Sequence, residues 1–214
     1  MKTLLINGSP HKKGSTYTAL SLVADALEKE GIETEIITIP KEPVAGCQAC
    51  YACRANDKHR CAIGGEIVNI LIEKIEEADA LVLGSPVYYA SPNGQILSVL
   101  DRVFFAGSGG GLFAGKPAAA ICAARRGGNT ATLEVLQKYF AISGMPIAPS
   151  TYWPMIHGTS AEEVLKDAEG VQTMQMVGKN IAWMLKCFEL GKNAGICFPE
   201  VPAAEKAKTN FIRV

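Results

Sequence analysis

Short apolar runs alternate with amphipathic stretches along the chain. Most of the apolar runs are rich in Leu, Ile, Val or Ala and stop at glycine or proline, a pattern typical of strands buried on both faces of a sheet. The runs predict five strands, over residues 3–8, 34–39, 80–86, 117–124 and 146–153.

The stretches between the runs have apolar residues at a spacing of three or four. Leu20, Val23, Ala24 and Leu27 are one example, and this spacing places them on one face of a helix. The pattern predicts five helices, over about residues 15–31, 67–75, 93–105, 129–143 and 174–188.

Strands that alternate with helices predict a parallel sheet covered on both faces. Parallel connections are right-handed, and the common order for five such strands is the flavodoxin-like 2-1-3-4-5. We therefore predict an α/β, doubly wound, five-stranded parallel sheet, with a cysteine-rich loop after the second strand. Residues 1–190 form the domain, and residues 191–214 form a tail that packs on the domain or on a partner subunit.

Charge and composition narrow the class of protein. The chain of 214 residues has 21 basic and 21 acidic side chains, which gives no basic face for nucleic acid and argues against a strongly acidic electron carrier. No apolar run approaches a membrane span or a signal peptide, so we expect a cytoplasmic protein that binds neither membranes nor nucleic acid. In that compartment, seven cysteines indicate metal or redox chemistry before disulfides.

The loop after the first strand, NGSPHKKGST (7–16), resembles an anion site. The residues predicted to contact a phosphate are Ser9, His11, Gly14, Ser15 and Thr16. Backbone N–H groups and the N-terminus of the next helix suit a phosphate dianion, and the absence of Gly-Lys-Ser/Thr argues against a triphosphate loop. The alternative is ordinary capping of the helix by Ser15 or Thr16.

The loop after the third strand, GSPVYYASPNGQ (84–95), has two adjacent aromatic residues between prolines. Tyr88 and Tyr89 could cover the face of a planar heterocycle, which binds where backbone amides meet aromatic side chains. The alternative is that the two rings only pack against the protein.

The loop after the fourth strand, AARRGGNTA (123–131), combines cations with small residues. Gly127 and Gly128 permit a close approach of the backbone, and Asn129 or Thr130 could cap the next helix. Arg125 or Arg126 could face an anionic ligand, or the pair could be a solvated turn.

Four cysteines occur within fifteen residues after the second strand, with the spacing Cys-x2-Cys-x2-Cys-x7-Cys. They are Cys47, Cys50, Cys53 and Cys61. Four thiolates from one loop could hold a 4Fe–4S cluster or zinc, although zinc sites usually pair two separate knuckles. Unliganded thiols are the third interpretation, with basic neighbours that would make Cys61 reactive. The remaining cysteines, Cys122, Cys187 and Cys197, are predicted to be small buried residues.

Three segments together resemble the NAD(P)H-dependent FMN reductase group of flavodoxin-like proteins, and most closely its iron–sulfur flavoprotein branch. They are INGSPHKKGST, SPVYYASPNGQILSVLDR and GKPAAAICAARRGGNTATLEVL, in that order, spread over residues 1–150. The spacing of the four cysteines is similar to that of the branch, at its long end.

The resemblance implies a site for FMN. Its phosphate would lie in the loop from Ser9 to Thr16, and Arg126 to Gly128 would close one edge of the ring system. The isoalloxazine would be lined by Pro86, Val87, Tyr88 and Tyr89. The resemblance also implies NAD(P)H as donor, a homodimer or homotetramer, and a structural role for the Asp101-Arg102 pair. The cysteine loop would lie on the order of 10 Å from the flavin, two strands away.

The sequence thus predicts an FMN-dependent oxidoreductase. Electrons would pass from a reduced nicotinamide, or a ferredoxin-like donor, to FMN and then to a small acceptor such as a quinone, flavin or oxygen species. A 4Fe–4S cluster could carry them on part of this path. A nicotinamide can give its hydride to a flavin without a protein acid or base, so no catalytic residue is assigned. The alternatives are a non-enzymatic electron carrier and a flavin-binding module that senses redox state through its thiols.

Overall fold

A computed structural model describes residues 1–55, 59–64 and 66–199, together with residues 207, 209 and 211. The strands are β1 (Lys2–Asn7), β2 (Glu33–Thr38), β3 (Ala80–Tyr88), β4 (Ser91–Pro92), β5 (Ala118–Ala124) and β6 (Met155–His157). The helices are α1 (Ser15–Lys29), α2 (Ala52–Ala55), α3 (Glu66–Glu77), α4 (Gly94–Gly107), α5 (Asn129–Ile142), α6 (Ala161–Val164) and α7 (Ala168–Asn193).

The sheet has the predicted order, β2-β1-β3-β5-β6, and these strands are all parallel. The switch point lies between β1 and β3, whose register pairs Leu5 with Val82 and Asn7 with Gly84. In such sheets, ligands bind beyond the carboxyl ends of the strands at this point. The predicted fold class is confirmed, and the two-residue strand β4, which pairs antiparallel to the end of β3, is an addition to it.

Two apolar layers cover the sheet, because successive side chains of each strand point to opposite faces. Leu4 and Ile6 join a core with side chains of α3, α4 and α5. Leu5 lies between them in sequence and packs on the other face, against α1 and α7. The central strands are buried on both sides, as their continuous apolar runs predict.

The predicted fifth strand, residues 146–153, was wrong in its position. The strand is β6, which begins at Met155 and pairs with β5 from Cys122 onward. Ala148 does donate its N–H to the Ala118 carbonyl at 2.8 Å, but this contact is isolated. Prolines at 146, 149 and 154 lack the N–H that a continuous ladder requires, so the segment between the two contacts is not part of the sheet.

Two of the three cysteines predicted to be buried are exposed. Cys122 lies within β5 and is fully buried, whereas Cys187 and Cys197 are exposed. The buried residues of α7 pack in one core with those of α1, and Cys187 is not among them.

The boundary between domain and tail at residue 190 remains a prediction, although α7 continues to Asn193. The first part of the tail turns back onto the domain, since a side-chain carbon added at Gly115 would lie 3.0 Å from the ring of Phe198. Phe211 is exposed. Residues 200–206, 208, 210 and 212–214 lie outside the described residues.

Candidate functional site

The loop between β1 and α1 is built around Asn7. Its side-chain oxygen accepts the N–H of Ser9 at 3.1 Å, and its amide nitrogen donates to the His11 carbonyl at 3.4 Å and the Thr38 hydroxyl at 3.2 Å. These contacts tie the loop to the end of β2 and fix a turn that the strand pattern alone does not specify. Asn7 is buried, and sequence reasoning did not assign it a role.

The N-terminus of α1 opens into this turn. The residue that precedes the helix is Gly14, and no side chain caps the helix, so the alternative of capping by Ser15 or Thr16 is wrong. The buried Ser9 instead uses its hydroxyl to accept the N–H of His11 at 3.1 Å. Uncapped N–H groups and the positive end of the helix dipole favour an anion at this place.

A strained hairpin follows β3. Tyr88 pairs with Ser91, and the two residues between them, Tyr89 and Ala90, have φ of 51° and 55°. Two consecutive positive φ values define a type I′ turn, which normally uses Asn-Gly because other side chains are strained there. Tyr88 and Tyr89 are exposed, so within this chain the alternative that both rings serve only for packing does not hold.

The loop after β5 touches that hairpin. Gly128 has φ of +89°, and a side-chain carbon added to it would lie 2.7 Å from Ala90 Cα and 2.9 Å from Val87. Gly128 also precedes α5, which begins at Asn129 without a side-chain cap, so capping by Asn129 or Thr130 is wrong. Glycine is required at this position both by its conformation and by the contact.

The exposed cations Arg125 and Arg126 lie next to this contact, with Gly127 following them. Together with the loop after β1, they place positive charge at the carboxyl edge of the sheet. That edge therefore combines the uncapped N-terminus of α1, exposed aromatic rings and glycines that allow close approach.

Asn129 provides a test of whether FMN fits. It is only 4% exposed, and its side-chain nitrogen has no hydrogen-bond partner among the described residues. A buried donor without a partner is costly, which indicates a missing acceptor next to Gly128. A flavin offers carbonyl and ring-nitrogen acceptors along one edge, so the residues present fit FMN.

The cysteine loop is held by the helix α4. Arg102 is 2% exposed and donates from Nε to Cys61 Sγ at 3.3 Å, and from its other nitrogens to the carbonyls of Ala45, Ile63 and Gly64. Two turns earlier on the same helix, the side chain of Gln95 accepts the N–H of Val44 at 3.3 Å. The prediction that the Asp101-Arg102 pair is structural agrees with these contacts.

Aromatic packing adds a second anchor. Phe105 of α4 contacts the ring of Tyr51 edge-on at 5.7 Å and lies 4.6 Å from the Arg54 guanidinium carbon. These contacts hold the short helix α2, which contains Cys53, against α4.

The four clustered cysteines are unequally placed. Cys47 and Cys50 are exposed, Cys61 is half-buried and Cys53 is buried. Burial raises the pKa of the Cys53 thiol, although the neighbouring Arg54 acts in the opposite direction. In the described part of the chain, no three Cys, His, Asp or Glu side chains lie where they could share a metal ion. The four thiols fit an iron–sulfur cluster by chemistry, while their positions do not converge on one.

Within the part of the chain that the structure describes, every helix is too short or too polar to span a lipid bilayer.

The fold and the loops at the carboxyl edge of the sheet agree with the class of protein that the family comparison identifies. The model of the family described as NADPH-dependent FMN reductase matches residues 1–160, so the chain belongs to that family. The predicted family and the predicted FMN cofactor with a reduced nicotinamide donor are thereby confirmed at the level of the family.

Relatives and solved structures agree with this assignment. An iron–sulfur flavoprotein of Methanocaldococcus jannaschii is 31% identical over 199 residues, which cover 87% of this chain and 98% of that protein. RosB, solved with a bound 8-demethyl-8-formylriboflavin-5′-phosphate, aligns with a TM-score of 0.70 at 17% identity, over 99% of this chain and 92% of RosB. An archaeal flavodoxin aligns with a TM-score of 0.58 at 14% identity, over 87% of this chain and 99% of its own. The two structures support the flavodoxin-like fold.

Proposed function

We propose that the protein is an FMN-dependent oxidoreductase of the iron–sulfur flavoprotein type, which takes electrons from a reduced nicotinamide and passes them to a small acceptor. The observation that carries the proposal is the contact between Ala90 and Gly128 at the carboxyl edge of the sheet. A strained turn that a second loop holds in place is a typical feature of a ligand site.

The loop from Ser9 to Thr16 would hold the FMN phosphate. Its contacts would come from Ser9, His11, Gly14, Ser15 and Thr16, through the hydroxyls and the N–H groups at the start of α1. Asn7 would keep this turn in its shape through its hydrogen bonds to Ser9 and His11.

The ring system would lie along the hairpin. Pro86, Val87, Tyr88 and Tyr89 would cover it on one side, and Arg126, Gly127 and Gly128 would close the other edge. Bound FMN would supply the hydride-accepting chemistry, while the chain orients the ring and limits the access of water to it. The side-chain nitrogen of Asn129 would donate a hydrogen bond to an acceptor at the same edge.

The cysteine loop would hold a 4Fe–4S cluster through Cys47, Cys50, Cys53 and Cys61. One observation supports this proposal over zinc or free thiols: the similar protein of M. jannaschii is named an iron–sulfur flavoprotein. The four thiols do not converge in the described structure, so the loop would have to rearrange for all of them to bind one cluster.

The assembly would be a homodimer or homotetramer. Large apolar side chains remain exposed on the single chain, among them Trp153, Trp183 and Leu190. Exposed apolar surface of this kind, together with a formal net charge of zero, favours association. Sedimentation equilibrium would measure the mass, and a monomer at micromolar concentration would contradict this part of the proposal.

An anaerobic titration tests the enzyme proposal against its alternatives. The FMN-loaded protein is mixed with NADPH or NADH, the bleaching of the flavin band is followed, and quinone or oxygen is then added. Reduction followed by repeated turnover is the expected result. A protein that binds FMN but is not reduced by either nucleotide would instead be an electron carrier or would use a ferredoxin-like donor. Iron and acid-labile sulfide on the same sample test for the cluster.

A further inference from the structure

His157 and Asp167 form a pair of titratable side chains at the carboxyl edge of the sheet. His157 is the last residue of β6, and Asp167 directly precedes α7. The imidazole Nδ1 lies 3.4 Å from Asp167 Oδ2, and the same oxygen accepts the backbone N–H of His157 at 2.8 Å. One carboxylate oxygen therefore holds both the backbone and the ring of His157.

Asp167 is itself held in place as an anion. Its second oxygen, Oδ1, accepts the N–H of Gly170 at 3.0 Å and caps α7. Burial acts to raise the pKa of this carboxyl, but the N–H groups of Gly170 and His157 outweigh it, so the pKa is lowered. The dipole of α7 also favours a negative charge at this end of the helix. The partner of the imidazole is thus a fixed carboxylate.

The ring of His157 has one nitrogen held and one nitrogen open. A carboxylate next to Nδ1 selects the form of the imidazole that has a proton on that nitrogen. The side chain of His157 is 40% exposed, and within the described residues its ring has no polar contact besides the one with Asp167. Nε2, on the far side of the ring, is therefore available to a ligand. A carboxylate and an imidazole in this arrangement are typical of a general acid or base.

The pair lies beside the loop that would close the edge of the flavin ring. The register of the sheet pairs His157 with Ala124, and Gly158 donates its N–H to the Ala124 carbonyl at 3.0 Å. The loop 125–128 follows directly and contacts the hairpin after β3. Neighbouring strands lie about 4.8 Å apart, so His157 is one strand from this edge, while the loop proposed for the FMN phosphate is three strands away. This position suits a molecule that reacts with the ring more than the phosphate of FMN.

We propose that His157 is a catalytic residue for the reduction of quinone-type acceptors: its Nε2–H gives a proton to an acceptor oxygen, and Asp167 is the positioning residue that holds the imidazole. The inference rests on the proposed function, since the electrons come from FMN. Acceptors of this class need two electrons and two protons, and an acid at the edge of the ring site supplies the proton that the flavin does not.

The step balances in atoms and electrons. The quinone takes a hydride, which is two electrons and one proton, from the reduced flavin and becomes the monoanion of the hydroquinone. Its oxyanion then takes one proton from the imidazolium of His157. The products are the neutral hydroquinone, oxidised FMN and a neutral imidazole, which regains its proton from water.

The test separates reoxidation that needs a proton from reoxidation that does not. FMN-loaded protein is reduced with stoichiometric dithionite under anaerobic conditions, so the result does not depend on any nicotinamide. It is then mixed in a stopped-flow instrument with benzoquinone, which takes up electrons and protons, or with ferricyanide, which takes up electrons alone. The return of the flavin absorbance gives the rate of each reaction.

Three substitutions are compared with the wild type. His157→Gln removes the ionisable ring and keeps a polar side chain, and Asp167→Asn removes the charge beside Nδ1. Glu163→Gln is the matched control, because Glu163 accepts the N–H of Thr159 at 2.7 Å in the same loop and makes no polar contact with His157 among the described residues. Circular dichroism checks the fold, and fluorescence quenching measures the FMN affinity of each protein.

We expect His157→Gln to slow reoxidation by benzoquinone about a hundredfold, at the lower end for a positioned acid, with the ferricyanide rate and the FMN affinity unchanged. Asp167→Asn should slow the benzoquinone reaction by a smaller factor, and Glu163→Gln should leave both rates unchanged. Imidazole added to His157→Ala should restore part of the benzoquinone rate, because it can occupy the space of the missing ring and supply the proton.

Nitrogen NMR of protein labelled at its histidine rings provides a readout without turnover. The signals of His157 are those absent from His157→Gln. In the neutral ring of the wild type we expect the proton on Nδ1, and in Asp167→Asn a larger share of the form with the proton on Nε2. Benzoquinone added to the oxidised, FMN-loaded protein should shift the Nε2 signal, and an unchanged signal at saturation would contradict contact with the acceptor.

Several results would overturn the inference. Equal slowing with both acceptors in His157→Gln would indicate a general effect on the site, and an unchanged benzoquinone rate would mean that the proton has another source. Either result leaves the proposed function standing. If His157→Gln does not fold, Asp167→Asn against Glu163→Gln decides, with slow benzoquinone reoxidation expected only for the Asp167 variant. FMN that neither nucleotide reduces would contradict the proposed nicotinamide donor instead, while the dithionite experiment would still decide the role of His157.

Discussion

Gly128 and Ala90 are in direct contact across two loops, and a side-chain carbon on Gly128 would fall 2.7 Å from Ala90 Cα. The contact joins the hairpin after β3 to the loop after β5. These are the two loops that would enclose the flavin ring, so their mutual position determines the width of the site.

We expect Gly128→Ala to weaken the proposed site. The substitution introduces both a clash and a strained φ of +89°, with a cost of about 1–3 kcal/mol in the free energy of unfolding. FMN affinity, measured by fluorescence quenching, should fall as well, because the hairpin is displaced. Gly127→Ala is the control, since nothing lies within 4 Å of its added carbon. Gly127 belongs to the same proposed edge of the flavin, so this control applies to stability, and similar losses of unfolding free energy in both variants would contradict the role of the contact.

Ala90→Gly should stabilise the protein. Ala90 has φ of 55°, which glycine adopts without strain, so the unfolding free energy should rise by about 0.5–1 kcal/mol. The matched control is Ala131→Gly, at an exposed position of α5, which should lower stability by about 1 kcal/mol. Urea denaturation measures both changes, and a loss of stability in both variants would argue against strain in the hairpin.

The cysteines should differ widely in reactivity. Burial raises the pKa of Cys122 to about 12, so almost no thiolate is present at neutral pH. In iron-free protein at pH 8, iodoacetamide should modify the exposed Cys47, Cys50, Cys187 and Cys197 first, with Cys122 protected until unfolding. Peptide mass spectrometry over time gives the order, and denatured protein, in which all seven react, is the control. Early modification of Cys122 would contradict its place in the core.

Asp167 should make stability depend on pH. Burial acts to raise the pKa of Asp167, but hydrogen bonds from the N–H groups of Gly170 and His157 outweigh it, and the pKa is lowered. The lowered pKa stabilises the folded state at pH values above the pKa of the unfolded state, which is about 4. This contribution is lost as the pH falls through the pKa of the folded state.

The comparison is with Asp167→Asn, which cannot carry the charge. Wild-type protein should be more stable by about 1–2 kcal/mol at pH 7, because hydrogen bonds to a charged group are stronger. The difference should shrink toward pH 3. Denaturant midpoints from pH 3 to 7 measure it, and a constant difference would mean that the ionised carboxylate has no special role.

Much of the fold and part of the candidate site could be predicted from the sequence. Runs of apolar residues predicted the strands, and the order of the sheet followed from the common arrangement of right-handed parallel units. The rule for parallel strands then placed the loops at Ser9, Tyr88 and Gly128 on one edge. The family-level prediction of FMN was confirmed, while the individual contacts of FMN and of the cysteines remain predictions.

What the sequence left out depends on long-range contacts. The bonds from Arg102 reach residues about forty positions away, and no local pattern distinguishes this arginine from a solvated one. The type I′ turn at Tyr89 and Ala90 does not have the usual Asn-Gly signature, because the surrounding structure maintains its strain. The fifth strand was predicted at the wrong position because residues 146–153 have the apolar pattern of a strand, while their prolines lack N–H groups for pairing.

The central claim is that the loop built on Asn7 binds the phosphate of FMN. The most direct measurement is the dissociation constant of the flavin-free protein for FMN and for riboflavin, which lacks the phosphate, in the wild type and in Asn7→Ala. We predict that the wild type binds FMN at least about a hundredfold more tightly, since charge-assisted bonds to several N–H groups contribute about 1.5–3 kcal/mol each. Asn7→Ala should lose most of this preference. Equal affinities for the two flavins in the wild type would contradict the claim.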